Sequence, residues 1–274
     1  MRSPLPTPEF QGLQAVTVRE LFTVARTRSP LALFVGVFAV VLGIAVFGGE
    51  PRYLPTVADL LLPLELLVPT VAITLGYRSI AADEQRGERA VLETYPVSSR
   101  TYVFGVFLGR AVALVAILGV PLLAAWAYLA TTTPETPTLF AIRRGGDSPI
   151  AFARFLLLTL VFGLAVLALS LALSALAGSR RSALVLAGAG LVAVVVLFDL
   201  LVLRGFTAGV IPDGALLAVL ALSPTSAYRG LVLETVLQSP GTAVAQAIPL
   251  LNVLGLLLVL LGSLVVATVA LKRR

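Results

Sequence analysis

Cysteine and histidine are both missing from this sequence. Their absence removes disulfides, thiol nucleophiles, haem and zinc sites, and every catalytic triad or metalloprotease motif built on imidazole. No catalytic residue and no metal site is expected. Met1 is the one methionine, which argues against a protein-lined route for soft cations such as copper(I). Lysine is almost absent as well. With Lys272 alone there is no G-x-x-x-x-G-K-[ST] loop and no lysine placed to hold nucleotide phosphates. If ATP is used, another chain binds it, and this chain is expected to be neither an enzyme nor the holder of a cofactor. Charge is also scarce: 12% of residues are charged and 58% hydrophobic, where a soluble domain has roughly 45–50% apolar residues. That balance belongs to a membrane protein.

The apolar residues fall into six blocks, at about 31–49, 57–77, 103–130, 153–177, 183–203 and 245–271. Each approaches the roughly 20 residues a helix needs to cross a bilayer, and no ten-residue alternation suggests a barrel. The expected fold is therefore all-α: a polytopic membrane protein with six transmembrane helices. No glycine-serine linker, low-complexity run or internal repeat divides it, so residues 1–274 read as one domain. The opening MRSPLPTPEF, with no apolar block before residue 31, predicts no cleaved secretory signal.

Six crossings put both termini on one side. With both cytoplasmic, 14 of the 20 basic residues fall inside, leaving Arg52, Arg143, Arg144, Arg154, Arg204 and Arg229 outside. This is the asymmetry of the positive-inside rule in a multi-pass cell-membrane protein, and it accounts for the net charge of +6 without nucleic acid.

Residues 9–28 are too polar to span. As a helix they gather Phe10, Leu13, Val18, Leu21, Phe22 and Val24 on one half, with Arg19 and Arg26 opposite. The pattern fits an interfacial helix at the lipid surface, or a helix packed on another subunit. Arg28-Ser29-Pro30 is expected to break it. Residues 212–244 also fail to read as a clean crossing. Their apolar run, Ala215 to Leu222, stops at Ser223-Pro224, and an amphipathic piece with Arg229 and Glu234 follows. A re-entrant or surface helical pair on the outer face fits, and a seventh span competes with it.

Few polar groups lie within the spans: Asp59, Glu65 between Pro63 and Pro69, Asp199 and Asn252. An ionisable group in hydrocarbon costs at least about 2.5–3.5 kcal/mol, so Glu65 and Asp199 are expected to face protein or a wet cavity. They could carry protons or cations, as in a proton-coupled secondary transporter. Equally, they could pair with an arginine or a proline-freed amide, or stay protonated. Small residues recur later (Gly163, Ser170, Ser174, Ala177, Gly188, Gly190), suited to a dimer face or to internal packing.

The stretch DEQRGERAVLETYPVSSR, residues 83–100, has seven charged residues among eighteen. Written as a helix over 80–96, it gathers Ile80, Ala81, Val91, Leu92 and Tyr95 in an arc of about 120°, interrupted by Glu84 and Glu88. Asp83 can meet Arg86 and Arg89 can meet Glu93, Pro96 stops the helix, and Ser98 or Ser99 can cap the next. The residues alone leave two readings: a helix that docks in a groove of a cytoplasmic protein, or a membrane-proximal connector.

This stretch resembles the signature of ABC type 2 permeases, in which an acidic residue, a glycine and a short helix precede proline, serine and arginine before the third span. The matching residues are Glu84, Gly87, Pro96, Ser99, Arg100 and Gly105. Val106 stands where the family often has lysine, with Arg110 one turn later. Leu222-Ser223-Pro224 with Tyr228-Arg229 is similar to the family's N-P…[FY]-R element, with Ser223 in place of asparagine. The resemblance implies an ATP-driven transporter of the cell membrane, in a prokaryotic source. Two permease chains, as homodimer or heterodimer, would pair with two ABC ATPase subunits that bind ATP and magnesium. It further implies ATPase coupling through Glu84, Gly87, Glu88, Leu92, Tyr95, Pro96 and Arg100.

Overall fold

The computed structural model describes residues 8–81, 98–132, 147–237 and 249–273, and every regular element among them is helical. Long runs of Leu, Val, Ala and Phe account for this, because a helix satisfies its backbone polar groups without help from solvent. The first five helices are α1 (Pro8–Ala25), α2 (Arg28–Phe47), α3 (Tyr53–Gly76), α4 (Ser99–Thr132) and α5 (Pro149–Leu176). Next, α6 (Arg180–Val192) runs through a π-helical segment, Ala193–Leu197, into α7 (Phe198–Thr207). Short α8 (Asp213–Leu220) and α9 (Pro224–Thr235) precede α10 (Pro249–Lys272).

Among the described residues six units are long and apolar enough to cross a membrane, α2, α3 with its continuation to Ala81, α4, α5, the α6–α7 rod and α10, and the bent pair α8–α9 would make a seventh if counted as one span. The first five begin three or four residues before the expected apolar blocks. Polar first turns explain the difference. Ser148 Oγ accepts from Ile150 N at 3.2 Å, and Ser98 Oγ accepts from Thr101 N at 3.2 Å. Ser179 and Ser182 cap α6 reciprocally. Between α1 and α2 the break falls at Arg26–Thr27, earlier than Arg28-Ser29-Pro30. Pro30 instead sits in the first turn of α2, where its missing N–H has no intrahelical partner to lose.

The bundle is built around α5, which packs against α3, α4, α6, α9 and α10. Its Phe152, Phe155 and Phe162 are fully buried. Small side chains let the neighbours approach: Gly163 meets Leu114, Leu118 and Val68, and Gly190 meets Leu173. Ser170 Oγ donates to the Ile73 carbonyl at 3.1 Å, and Ala177 is buried. These residues serve packing within the chain, whereas Gly188 is exposed.

Against α4 lies α1. A Cβ on Gly105 would come within 2.7 Å of Val16 Cγ1, and one on Gly109 within 2.5 Å of Glu20 Cβ. The two glycines, one turn apart, therefore select the stripe of α1 that faces inward: Val16, Glu20 and Val24 are buried, while Val18 and Phe22 are exposed. The expected apolar half of this helix is thus divided between the two sides.

At the other end of the bundle, Leu54 N donates to Asp147 Oδ1 at 2.7 Å, joining the starts of α3 and α5. Here α8 and α9 are bent 99° to each other. The Ala221 carbonyl at the bend presses on Gly255 of α10, so that a Cβ there would overlap it. Gly255→Ala is accordingly expected to destabilise the protein by about 1–3 kcal/mol. Thermal unfolding in detergent checks this, and an unchanged midpoint would contradict the packing.

Candidate functional site

Polar contacts concentrate at two places along α3. The first is near its middle. Glu65 lies about 18 Å from the start of the helix, at roughly 1.5 Å per residue. It is buried, and a carboxylate there needs charged hydrogen-bond partners. Arg229 of α9 supplies them in a bidentate pair, Nε to Oε1 at 2.7 Å and Nη2 to Oε2 at 2.5 Å.

The rest of the α9 start is held in the same way. Asp199, at the head of α7, accepts from Ser223 Oγ at 2.7 Å and from Ser226 Oγ at 2.8 Å. Thr225 Oγ1 donates to the Val194 carbonyl at 2.8 Å. Val194 belongs to the π-helical turn, whose altered hydrogen-bond register leaves room for an outside donor. Tyr228 is completely buried, stacked on Phe162 at 4.7 Å with its hydroxyl 2.9 Å from Thr159 Oγ1. The segment Ser223–Arg229 is thereby anchored to α3, α5 and the α6–α7 rod together.

The second place is where α3 ends. Arg110 of α4 donates Nε to Glu20 Oε2 at 3.0 Å and Nη1 to the Leu75 carbonyl. Arg19 holds the other oxygen of Glu20 at 2.9 Å. One guanidinium thus ties α1 and α3 to α4. Just beyond, Ser174 Oγ accepts from the amides of Ile80 and Ala81 at 3.1 and 3.2 Å. Those amides lead directly into residues 82–97, and α5 fixes their position. Beside this cluster a cleft of about 360 Å³ opens between α1 and the adjoining ends of α2 and α3.

These two clamps, at Glu65 and at Arg110, hold one helix, and the charged stretch 82–97 follows its end in the sequence. Comparison with known proteins decides the family. Residues 7–274 match the family described as ABC-2 family transporter protein. The chain belongs to the ABC-2 transporter family. It is 34% identical over 225 residues to a probable ABC transporter permease protein, NosY, of Pseudomonas aeruginosa, covering 77% of this chain and 78% of that one. It is 29% identical over 178 residues to the protein of the same name from Stutzerimonas stutzeri, covering 64% of this chain and 61% of the relative. As an ABC-2 protein it is the permease subunit of an ABC transporter and spans the membrane several times.

In this ABC-2 permease, Glu84, Gly87, Glu88, Leu92, Tyr95 and Pro96 lie outside the described residues. Arg100 is exposed in the first turn of α4. Glu65 and Asp199 are not joined to each other: one is bound to an arginine, the other to two hydroxyls. Asn252 is buried, and its Nδ2 has no partner among the described residues. Sequence reasoning passed over Glu20. Its signal is the spacing Val16, Glu20, Val24, which sets an acid in register with two buried valines. Thr159, Thr225 and Ser226 were also passed over, being hydroxyls with no distinguishing pattern.

Proposed function

We propose that the chain is the membrane half of an ATP-driven transporter. In this reading residues 80–96 dock on a separate ATPase subunit, and α3 carries the resulting motion to the α8–α9 pair. The observation behind it is that α3 is held at both levels, by Arg110 and Ser174 at its end and by Arg229 at its middle. A helix resists axial compression, so a push at Ile80 and Ala81 would be felt at Glu65 and hence at α9. Two permease chains and two ATPase subunits complete the assembly.

The end bearing α1 is cytoplasmic in this reading. Arg19, Arg26, Arg28, Arg78, Arg100, Arg110, Arg180, Arg181, Lys272 and Arg273 gather there, against Arg52, Arg154, Arg204 and Arg229 toward the other end, which favours that orientation. The pair α8–α9 enters from the outer face and turns back. Support for this comes from α9, whose first turn reaches Val194 and whose last turn leaves the Thr235 carbonyl 3.4 Å from Arg154 Nη1 near the start of α5. With Val18 and Phe22 exposed, α1 can lie along the lipid surface.

Reversing the charges of Glu84 and Glu88 together, to arginine, tests the docking. Co-purification with the ATPase should be lost, or ATP hydrolysis should continue without transport. A normal complex with full transport would sink the assignment. Substrate movement by this chain in vesicles without any ATPase, abolished by Glu65→Gln, would favour proton coupling instead.

A further inference from the structure

We propose that the cleft between α1 and the ends of α2 and α3 binds the phosphate headgroup of an anionic glycerophospholipid. The proposal rests on α1 lying at the cytoplasmic membrane surface. Among the described residues three arginines line the cleft, Arg19, Arg78 and Arg110, against one acid, Glu20. That acid is already held by Arg19 and Arg110, so the described lining carries a net positive charge. Arg78 is exposed, with its guanidinium 5.9 Å from the centre of the Tyr77 ring. Exposed Arg26 and Arg28 stand at the same α1–α2 corner and add to the field.

The volume, about 360 Å³, suits a phosphodiester with its glycerol rather than a bare ion. One wall is apolar, formed by Val24 and Leu33. Leu31 and Val35, exposed on the opposite side of α2, take no part in it. Inorganic phosphate would meet the arginines but make no use of that wall. A zwitterionic lipid would offer its phosphate together with a choline that the arginines repel. Basic pockets between helix ends on the cytoplasmic side have the chemistry for anionic headgroups.

The test is native mass spectrometry of the complex with its ATPase, offered equal amounts of phosphatidylglycerol and phosphatidylcholine. Phosphatidylglycerol should be retained in preference. Arg78→Ala should lower that retention about five-fold, the equivalent of about 1 kcal/mol for one basic residue at a membrane surface, while Arg78→Lys keeps most of it. Arg204→Ala, toward the opposite end of the bundle, should leave it unchanged. Equal retention of the two lipids would overturn the proposal, as would an unaffected Arg78→Ala variant or an equal loss with Arg204→Ala. Complete displacement by excess inorganic phosphate would overturn the lipid as occupant. Retention is read without ATP-driven transport, so its failure and that of the transport reading are separate results.

Discussion

Arg229→Ala is expected to cost about 2–3 kcal/mol of stability, below the range for a fully buried ion pair because the Arg229 side chain is 41% exposed. The loss comes less from the arginine than from what it leaves behind. Glu65 is only 5% exposed, sits halfway along α3, and would lose both hydrogen bonds at once. Thermal unfolding of the purified permease should show a fall on the order of 10 °C in the midpoint. Adding Glu65→Gln to this variant should recover part of the loss, because a neutral amide needs no counter-charge. Arg229→Lys should fall between, keeping the charge without the bidentate fork. The hydroxyls on Asp199 set a scale for comparison: Ser226→Ala removes one of two donors and should cost about 1 kcal/mol. If Arg229→Ala unfolds like the unaltered protein, Glu65 is not held as described. If Glu65→Gln gives no recovery, the loss is not that of a stranded charge.

The spans were legible because hydrocarbon imposes a single requirement, about 20 apolar residues, that composition alone can meet. Glu65 and Asp199 stood out for the same reason. Their partners did not. Arg229 is 164 residues from Glu65, and no local spacing connects a proline-flanked acid in one span to an arginine beyond another. Yet Ser223, Pro224, Tyr228 and Arg229 were already marked by their resemblance to a short family element. Those positions have physical work: Ser223 binds Asp199, Arg229 binds Glu65, and Tyr228 fills the space against Phe162. The inward stripe of α1 was not legible, because amphipathicity locates the most apolar side, while Gly105 and Gly109 of another helix decide which side can come close. The fifth span gave no warning of its π turn at Ala193–Leu197, a run of Ala, Val and Leu that would suit an ordinary helix. Its carbonyl at Val194 becomes meaningful only with Thr225 in place.

At the other clamp, Arg110→Ala is expected to free α1 from the bundle, at a cost of about 3 kcal/mol. The lower end of the buried-pair range applies because Glu20 retains Arg19. The Leu75 carbonyl loses its donor in the last turn of α3, where a cation also complements the helix dipole. Amide hydrogen exchange distinguishes this loss from general unfolding. An effect of about 3 kcal/mol confined to α1 should speed its protected amides on the order of 100-fold, at tenfold per roughly 1.4 kcal/mol. The amides of α9 should keep their protection. Arg229→Ala should give the reverse pattern, exposing α9 and sparing α1, since the two clamps share no residue and distant sites act additively. Opening of both helices in both variants would mean that the clamps yield as one cooperative unit, and α3 could not then pass a displacement from one to the other. Separate opening would mean that α3 stays rigid while either end is released, and that rigidity is the property transmission along it requires.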